Sequence, residues 1–167
     1  MARQPLRVAT ICTGNICRSP MAEVIVQDLI ERDPVLKGHV IVTSAGTARW
    51  HVGSPMDERA RRALDGAGYH LVGSLGAFAD AAYLNRQDLV IVMTREHCHD
   101  VAQRLTNTST DVVMWRNLLE PGLDLDVADP YYDNDEMFDD CVNLFTTGGR
   151  RLTSELRRRW GARLHEA

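Results

Sequence analysis

The stretch CTGNICRSP, residues 12–20, stands between a short apolar run and a segment with helical spacing. Leu6 to Ile11 reads as a buried strand, with the β-branched Val8, Thr10 and Ile11 in it. Beyond the stretch, Met21, Val24, Ile25 and Leu29 recur at helical spacing, and Asp33-Pro34 ends that pattern. Ser19 is expected as the N-cap of this helix and Pro20 as its first residue. The stretch is therefore a loop leading from a strand into a helix N-terminus. Backbone N–H groups in such a loop, together with the helix dipole, favour an anion. Gly14 lets the backbone bend around it. Arg18 adds a planar, always-charged fork suited to two phosphoryl oxygens. The Walker pattern, GxxxxGK followed by Ser or Thr, is absent, and a thiol is present instead. The positive field of the loop favours the thiolate of Cys12, the nucleophilic form.

Working outward, Val40 to Thr43 is a second short strand, and Asp57 to Ala67 looks helical. Asp88 to Met93, DLVIVM, is a third, almost continuously apolar strand. A helix is expected around Arg95 to Leu105 and a fourth strand at Asp111 to Trp115. The segment Glu120 to Asp140 reads as an acidic loop, with nine carboxylates and no Lys or Arg. Phe138, Val142, Phe145, Leu152, Leu156, Trp160 and Leu164 mark a long last helix, interrupted or weakened at Gly148-Gly149. Arg150, Arg151, Arg157, Arg158, Arg159 and Arg163 read as a solvated face of that helix.

Strands alternating with helices predict an α/β fold with right-handed crossovers. The expected architecture is a three-layer sandwich. A four-stranded parallel sheet is flanked by helices, and the phosphate loop joins the first strand to the first helix. Ligands of such folds bind beyond the carboxyl ends of the strands, where CTGNICRSP falls.

The length of 167 residues suits one domain spanning 1–167. A formal charge of −4 gives nucleic-acid binding no overall electrostatic support. The N-terminal residues MARQPLRVATIC carry no signal-peptide h-region, and no apolar run approaches membrane-spanning length. The expectation is a cytoplasmic protein with free thiols at Cys12, Cys17, Cys98 and Cys141, leaving open export by a route without a leader.

Cys12, Asn15, Cys17, Arg18 and Ser19 match the C-x5-R-S loop of the low-molecular-weight protein tyrosine phosphatases, and CTGNICRSPMAE resembles that signature almost residue for residue. The resemblance continues through TSAGT (43–47), WHVG (50–53), DERA (57–60) and DPYY (129–132), in order along the chain. It implies that Cys12 is the nucleophile, that Arg18 clamps the phosphate, and that Asp129 protonates the leaving tyrosine oxygen. Asp129 would then deprotonate the water that hydrolyses a cysteinyl-phosphate. Ser19 would support the thiolate, and Thr13, Gly14, Asn15, Ile16 and Cys17 would complete the phosphate loop. Trp50, Tyr131 and Tyr132 resemble the aromatic walls of the family's pocket. A phosphotyrosine-containing protein is the implied substrate, with neither metal nor other cofactor, and a monomer or weak dimer is expected. Cys17 is implied as the thiol that traps an oxidised Cys12 in a reversible disulfide.

Three other functions are compatible with parts of this pattern. Relatives that hydrolyse phosphoarginine resemble this loop but carry Thr where Ile16 stands. Arsenate reductases share the fold and a similar loop but need two further cysteines close together, whereas Cys98 and Cys141 lie far apart. A phosphotyrosine-binding module without activity would be expected to lose Cys12 or Asp129. Two departures from the family stand out. The His expected after the second helix is missing from GYHLVGSLGAFAD (68–80), so Asn15 must be held by Ser44, by Ser74 or by water. Met93-Thr94 stands where many relatives have Met-Asp.

Overall fold

Side chains of the first strand, β1 (Leu6–Cys12), alternate between two apolar layers. Leu6, Val8 and Cys12 face one, and Ala9 and Ile11 face the other, the period of two that a strand dictates. β3 (Leu89–Val92) alternates the same way, with Leu89 and Ile91 on the first side and Val90 and Val92 on the second. A strand covered on both faces needs apolar residues throughout, which is why DLVIVM is nearly continuous.

The fold, taken from a computed structural model, is described for residues 4–165. The side chains of Trp160, Arg163 and Leu164, expected on the last helix, lie outside the described residues. β2 (Val40–Gly46) and β4 (Asp111–Met114) complete a parallel sheet of order β2-β1-β3-β4. α1 (Arg18–Glu31), α2 (Glu58–Gly66) and α5 (Asp135–His165) supply the layer around Leu6, Val8 and Cys12. The short α3 (Ala81–Leu84) and α4 (Arg95–Arg104) supply the layer around Ala9 and Ile11. The chain passes from β1 outward to β2, then back across β1 to β3, so β1 sits where the winding reverses. Crevices for ligands open at that point, beyond the strand's carboxyl end.

β2 is longer than expected, running to Gly46 rather than Thr43, because its last residues pair with β1 as far as Cys12. The segment 120–140 is not loop throughout. A 3-10 turn occupies Pro130–Tyr132, and α5 already begins at Asp135. The side chains of five of the six arginines are described and are solvated as expected; Arg157 pairs with Asp33 at 3.0 Å.

The expected break at Gly148-Gly149 does not occur, and α5 is continuous through both glycines. Packing explains them. A Cβ on Gly148 would lie 2.6–2.8 Å from the Trp115 indole, and one on Gly149 would lie 2.8 Å from Leu29 Cδ1. Trp115 is fully buried, stacks edge-on against Phe145 at 5.0 Å and donates its indole N–H to the Leu144 carbonyl. The two glycines let α5 approach Trp115 on one side and α1 on the other. Gly148→Ala is therefore expected to lower the unfolding free energy by about 1–3 kcal/mol through overpacking, read as a lower urea midpoint, despite alanine's better helix propensity. A stabilised variant would contradict the close approach.

Candidate active site

Cys12 ends β1 and is 2% exposed. The loop then turns through Asn15, whose φ of 58° lies in the left-handed region that asparagine tolerates better than most residues. This turn aims the Asn15 backbone N–H at Cys12 Sγ, 3.3 Å away. Ser19 Oγ lies 3.0 Å from the same sulfur. Ser19 is not the helix N-cap, as the sequence suggests. α1 begins at Arg18, Cys17 precedes it with no side-chain cap, and the Ser19 hydroxyl is turned to the sulfur instead.

Asn15 organises the floor of the loop. Its Nδ2 donates to Ser19 Oγ at 2.7 Å and to Ser44 Oγ at 2.9 Å, and its Oδ1 accepts from the Ala77 N–H at 2.9 Å. Because Ser19 Oγ accepts from Asn15, its own hydrogen is left for Cys12 Sγ or for the more distant Ala45 carbonyl at 3.5 Å. Ser44 Oγ passes its hydrogen to Glu23 Oε2 at 2.6 Å. The backbone N–H and hydroxyl of Ser74 both donate to Glu23 Oε1. Thus Ser44 holds Asn15 directly, and Ser74 acts one step away through Glu23. Glu23 is buried and its carboxylate accepts three hydrogen bonds, which is what a buried charge requires. The sequence analysis quoted Glu23 as the last residue of CTGNICRSPMAE without giving it a role; its place on α1 one turn beyond Ser19 was the signal. Gly46 makes room for the loop, since a Cβ there would lie 2.5 Å from the Thr13 carbonyl oxygen.

Arg18 is buried and reaches the second half of the site. One terminal nitrogen donates to the Val127 carbonyl at 3.0 Å, and the other meets Asp129 Oδ2 at 3.3 Å. Asp129 Oδ1 accepts from the Tyr131 N–H at 3.1 Å, capping the turn Pro130–Tyr132. The Tyr131 and Tyr132 rings meet edge-on at 4.9 Å. Trp50 and Tyr132 are 75% and 86% exposed, so neither is a packing residue.

These groups surround one cavity of about 440 Å³. Cys12, Thr13, Gly14, Ile16, Cys17, Arg18, Trp50, Asp129, Tyr131 and Tyr132 line it, as does His51, which the sequence reading quoted without a role. Asn15 and Ser19 lie behind the wall and act on it through hydrogen bonds. Burial, then the nearby carboxylate of Asp57 and the Cys12 sulfur, push the Cys17 thiol above its usual range, so it stays protonated. Among the described residues no group of three or more His, Cys, Asp or Glu side chains is arranged to hold a metal ion. No helix among them is long and apolar enough to cross a membrane.

His97 is the other residue that sequence reading missed. It sits in the first turn of α4, which Thr94 caps, and its Nε2 lies 2.7 Å from Thr13 Oγ1. Its Nδ1 is buried without a hydrogen-bond partner. Burial first, and then the Arg18 charge, push its pKa down to about 4, against the smaller opposing pull of Asp126 and Asp129. The imidazole is neutral at pH 7. In the unfolded chain it takes up a proton near about pH 6.5. Between that pH and about 4 the unfolded state binds the proton and the folded state does not, so His97 reduces stability as pH falls through this window. His97→Gln is expected to flatten that part of the stability curve in urea titrations. A curve of unchanged slope would refute it.

The chain is matched over residues 7–162 by the family model of the low molecular weight phosphotyrosine protein phosphatases. It is 37% identical over 157 residues to a low molecular weight protein-tyrosine-phosphatase of Streptomyces coelicolor, covering 90% of this chain and 93% of that one. It is 41% identical over 143 residues to the low molecular weight protein-tyrosine phosphatase A of Mycobacterium bovis, covering 81% and 82%. The crystal structure of YfkJ from Bacillus subtilis superposes with a TM-score of 0.83 at 29% identity, covering 93% of this chain and 97% of that one. Fold and relatives together define a phosphatase of three-layer α/β architecture with a cysteine-containing loop between its first strand and first helix. The chain belongs to the low molecular weight phosphotyrosine protein phosphatase family.

Proposed function

We propose that this chain hydrolyses phosphotyrosine in protein substrates through a cysteinyl-phosphate intermediate. The observation that carries the reading is the convergence of Cys12, Arg18 and Asp129, from the two ends of the chain, on one cavity with aromatic walls. The phosphoryl oxygens are bound by the loop N–H groups and by Arg18, which also stabilise them as charge redistributes in the transition state. Cys12 Sγ attacks phosphorus as the bond to the phenolic oxygen breaks, and Asp129 delivers the proton that this oxygen takes up. In the second step Asp129 removes a proton from water, which attacks phosphorus, and the sulfur leaves. The Ser19 hydroxyl, directed at that sulfur, stabilises it as a leaving group.

Aromatic side chains at the wall, Trp50 and Tyr131, beside a Cys12 that is only 2% exposed, support an aryl ester over a short alkyl one. Ile16 in the wall supports phosphotyrosine over phosphoarginine, since an apolar side chain offers a guanidinium no partner. Cys17, held as a thiol in the same wall, suits the role of resolving an oxidised Cys12. The test is a turnover comparison of phosphotyrosine, phosphoarginine and phosphoserine peptides with EDTA present, and arsenate reduction assayed in parallel. Preferential release of phosphate from phosphotyrosine is expected. Faster turnover of either other peptide, dependence on a divalent metal, or arsenate reduction without phosphotyrosine hydrolysis would overturn the reading.

A further inference from the structure

The acid and the nucleophile belong to segments more than a hundred residues apart in sequence, and something must fix one against the other. Arg18 does so in part, through Val127 and Asp129. Yet the guanidinium that reaches Asp129 is the same group proposed to bind phosphate. Phosphoryl oxygens entering the cavity compete with Asp129 for it, so the acid segment needs a second anchor that substrate does not contest.

Arg59, in the first turn of α2, has the contacts of such an anchor. Its terminal nitrogen donates to the Tyr131 carbonyl at 3.1 Å, two residues past Asp129. Its guanidinium carbon lies 5.3 Å from the centroid of the Tyr131 ring and 4.7 Å from that of Phe138, at the start of α5. The other edge of the fork is bound to Asp57, at 3.1 Å to Oδ1 and 2.9 Å to Oδ2. Asp57 caps α2 by accepting the Arg59 N–H, and its own N–H donates to the Ile16 carbonyl at 2.8 Å. A continuous path therefore runs from the phosphate loop at Ile16, through Asp57 and Arg59, to Tyr131. Arg59 does not line the cavity. DERA, quoted in the sequence without a mechanical role, is the segment that ties the two halves together.

We propose that Arg59 is a positioning residue for the general acid, holding the Tyr131 segment, and with it Asp129, at a fixed distance from the phosphate loop. The proposal rests on Asp129 being the acid. A lysine cannot replace Arg59, because a single ammonium does not present the planar fork that grips Asp57 along one edge and Tyr131 along another.

The experiment uses Arg59→Met, which keeps an apolar stem against Phe138, and Arg59→Lys, which keeps the charge. Each is made in the wild-type chain and in an Asp129→Asn background. Turnover is read on aryl phosphates of graded leaving-group pKa, with thermal melting and phosphate binding measured alongside. Both variants are expected to lose between about ten- and a hundred-fold in kcat on poor leaving groups and little on activated ones. Neither is expected to lose anything further when Asp129 is already asparagine. A loss equal across leaving groups, or one that persists in full beside Asp129→Asn, would overturn the positioning role and leave a structural one. A leaving-group dependence that Asp129→Asn does not alter would overturn the acid assignment itself. An Arg59 series indistinguishable from wild type, with Asp129→Asn behaving as an acid knockout, would overturn the Arg59 proposal alone.

Discussion

Cys12→Ser is expected to abolish turnover of phosphotyrosine, by at least about four orders of magnitude, while leaving phosphate affinity close to that of the wild type. The two outcomes separate because they depend on different atoms. In the proposed function phosphate is held by the loop N–H groups and Arg18, and the loop is braced by the Asn15 side chain, Ser44 and Gly46, contacts that the substitution leaves in place. Turnover needs an anionic nucleophile, and a serine hydroxyl in the same place does not ionise at neutral pH. Steady-state kinetics and calorimetric titration with phosphate check the pair. Residual activity within about ten-fold of wild type would dismiss Cys12 as nucleophile, and lost phosphate affinity with an intact fold would dismiss the loop as a preformed oxyanion site.

Asp129→Ala should produce the second largest effect, and a selective one. Removing a general acid costs about 10²–10⁴-fold where the leaving oxygen needs a proton. The loss should be greatest for phenols of high pKa and small for activated esters. Phosphate affinity should not fall, because Asp129 contacts Arg18 at 3.3 Å and its removal takes away a competitor for that guanidinium. Equal losses on good and poor leaving groups would remove Asp129 from the proton transfer.

The parts legible in the sequence were those with strong local pattern. β1, α1 and β3 followed from apolar periodicity, and the phosphate loop from residue types at fixed spacing. Other features depended on tertiary neighbours. Ser44-Ala45-Gly46 has little strand character of its own, and it is strand because β1 runs beside it to Cys12. Gly148 and Gly149 looked like a break because nothing local announces the indole they accommodate. Ser19 looked like a cap because the competing claim on its hydroxyl comes from a residue seven positions earlier, across a turn. Glu23 and His97 received no role from the sequence, because only the packing of α1 and α4 onto the sheet buries them beside the loop. The proposed catalytic groups carry distinctive residue types, while the residues that hold them carry ordinary ones.

The alternation along β1 has a consequence for engineering the enzyme. Cys12 belongs to the same side of the sheet as Leu6 and Val8, the side where α1 and α5 lie. Inserting one residue within the strand would swing the sulfur to the opposite side, toward α3 and α4, with every bond of the phosphate loop left behind. Inserting two would restore the side but carry the sulfur about 6.6 Å along the strand, out of reach of Ser19. The spacing between the start of the sheet and the sulfur is thus counted in whole residues.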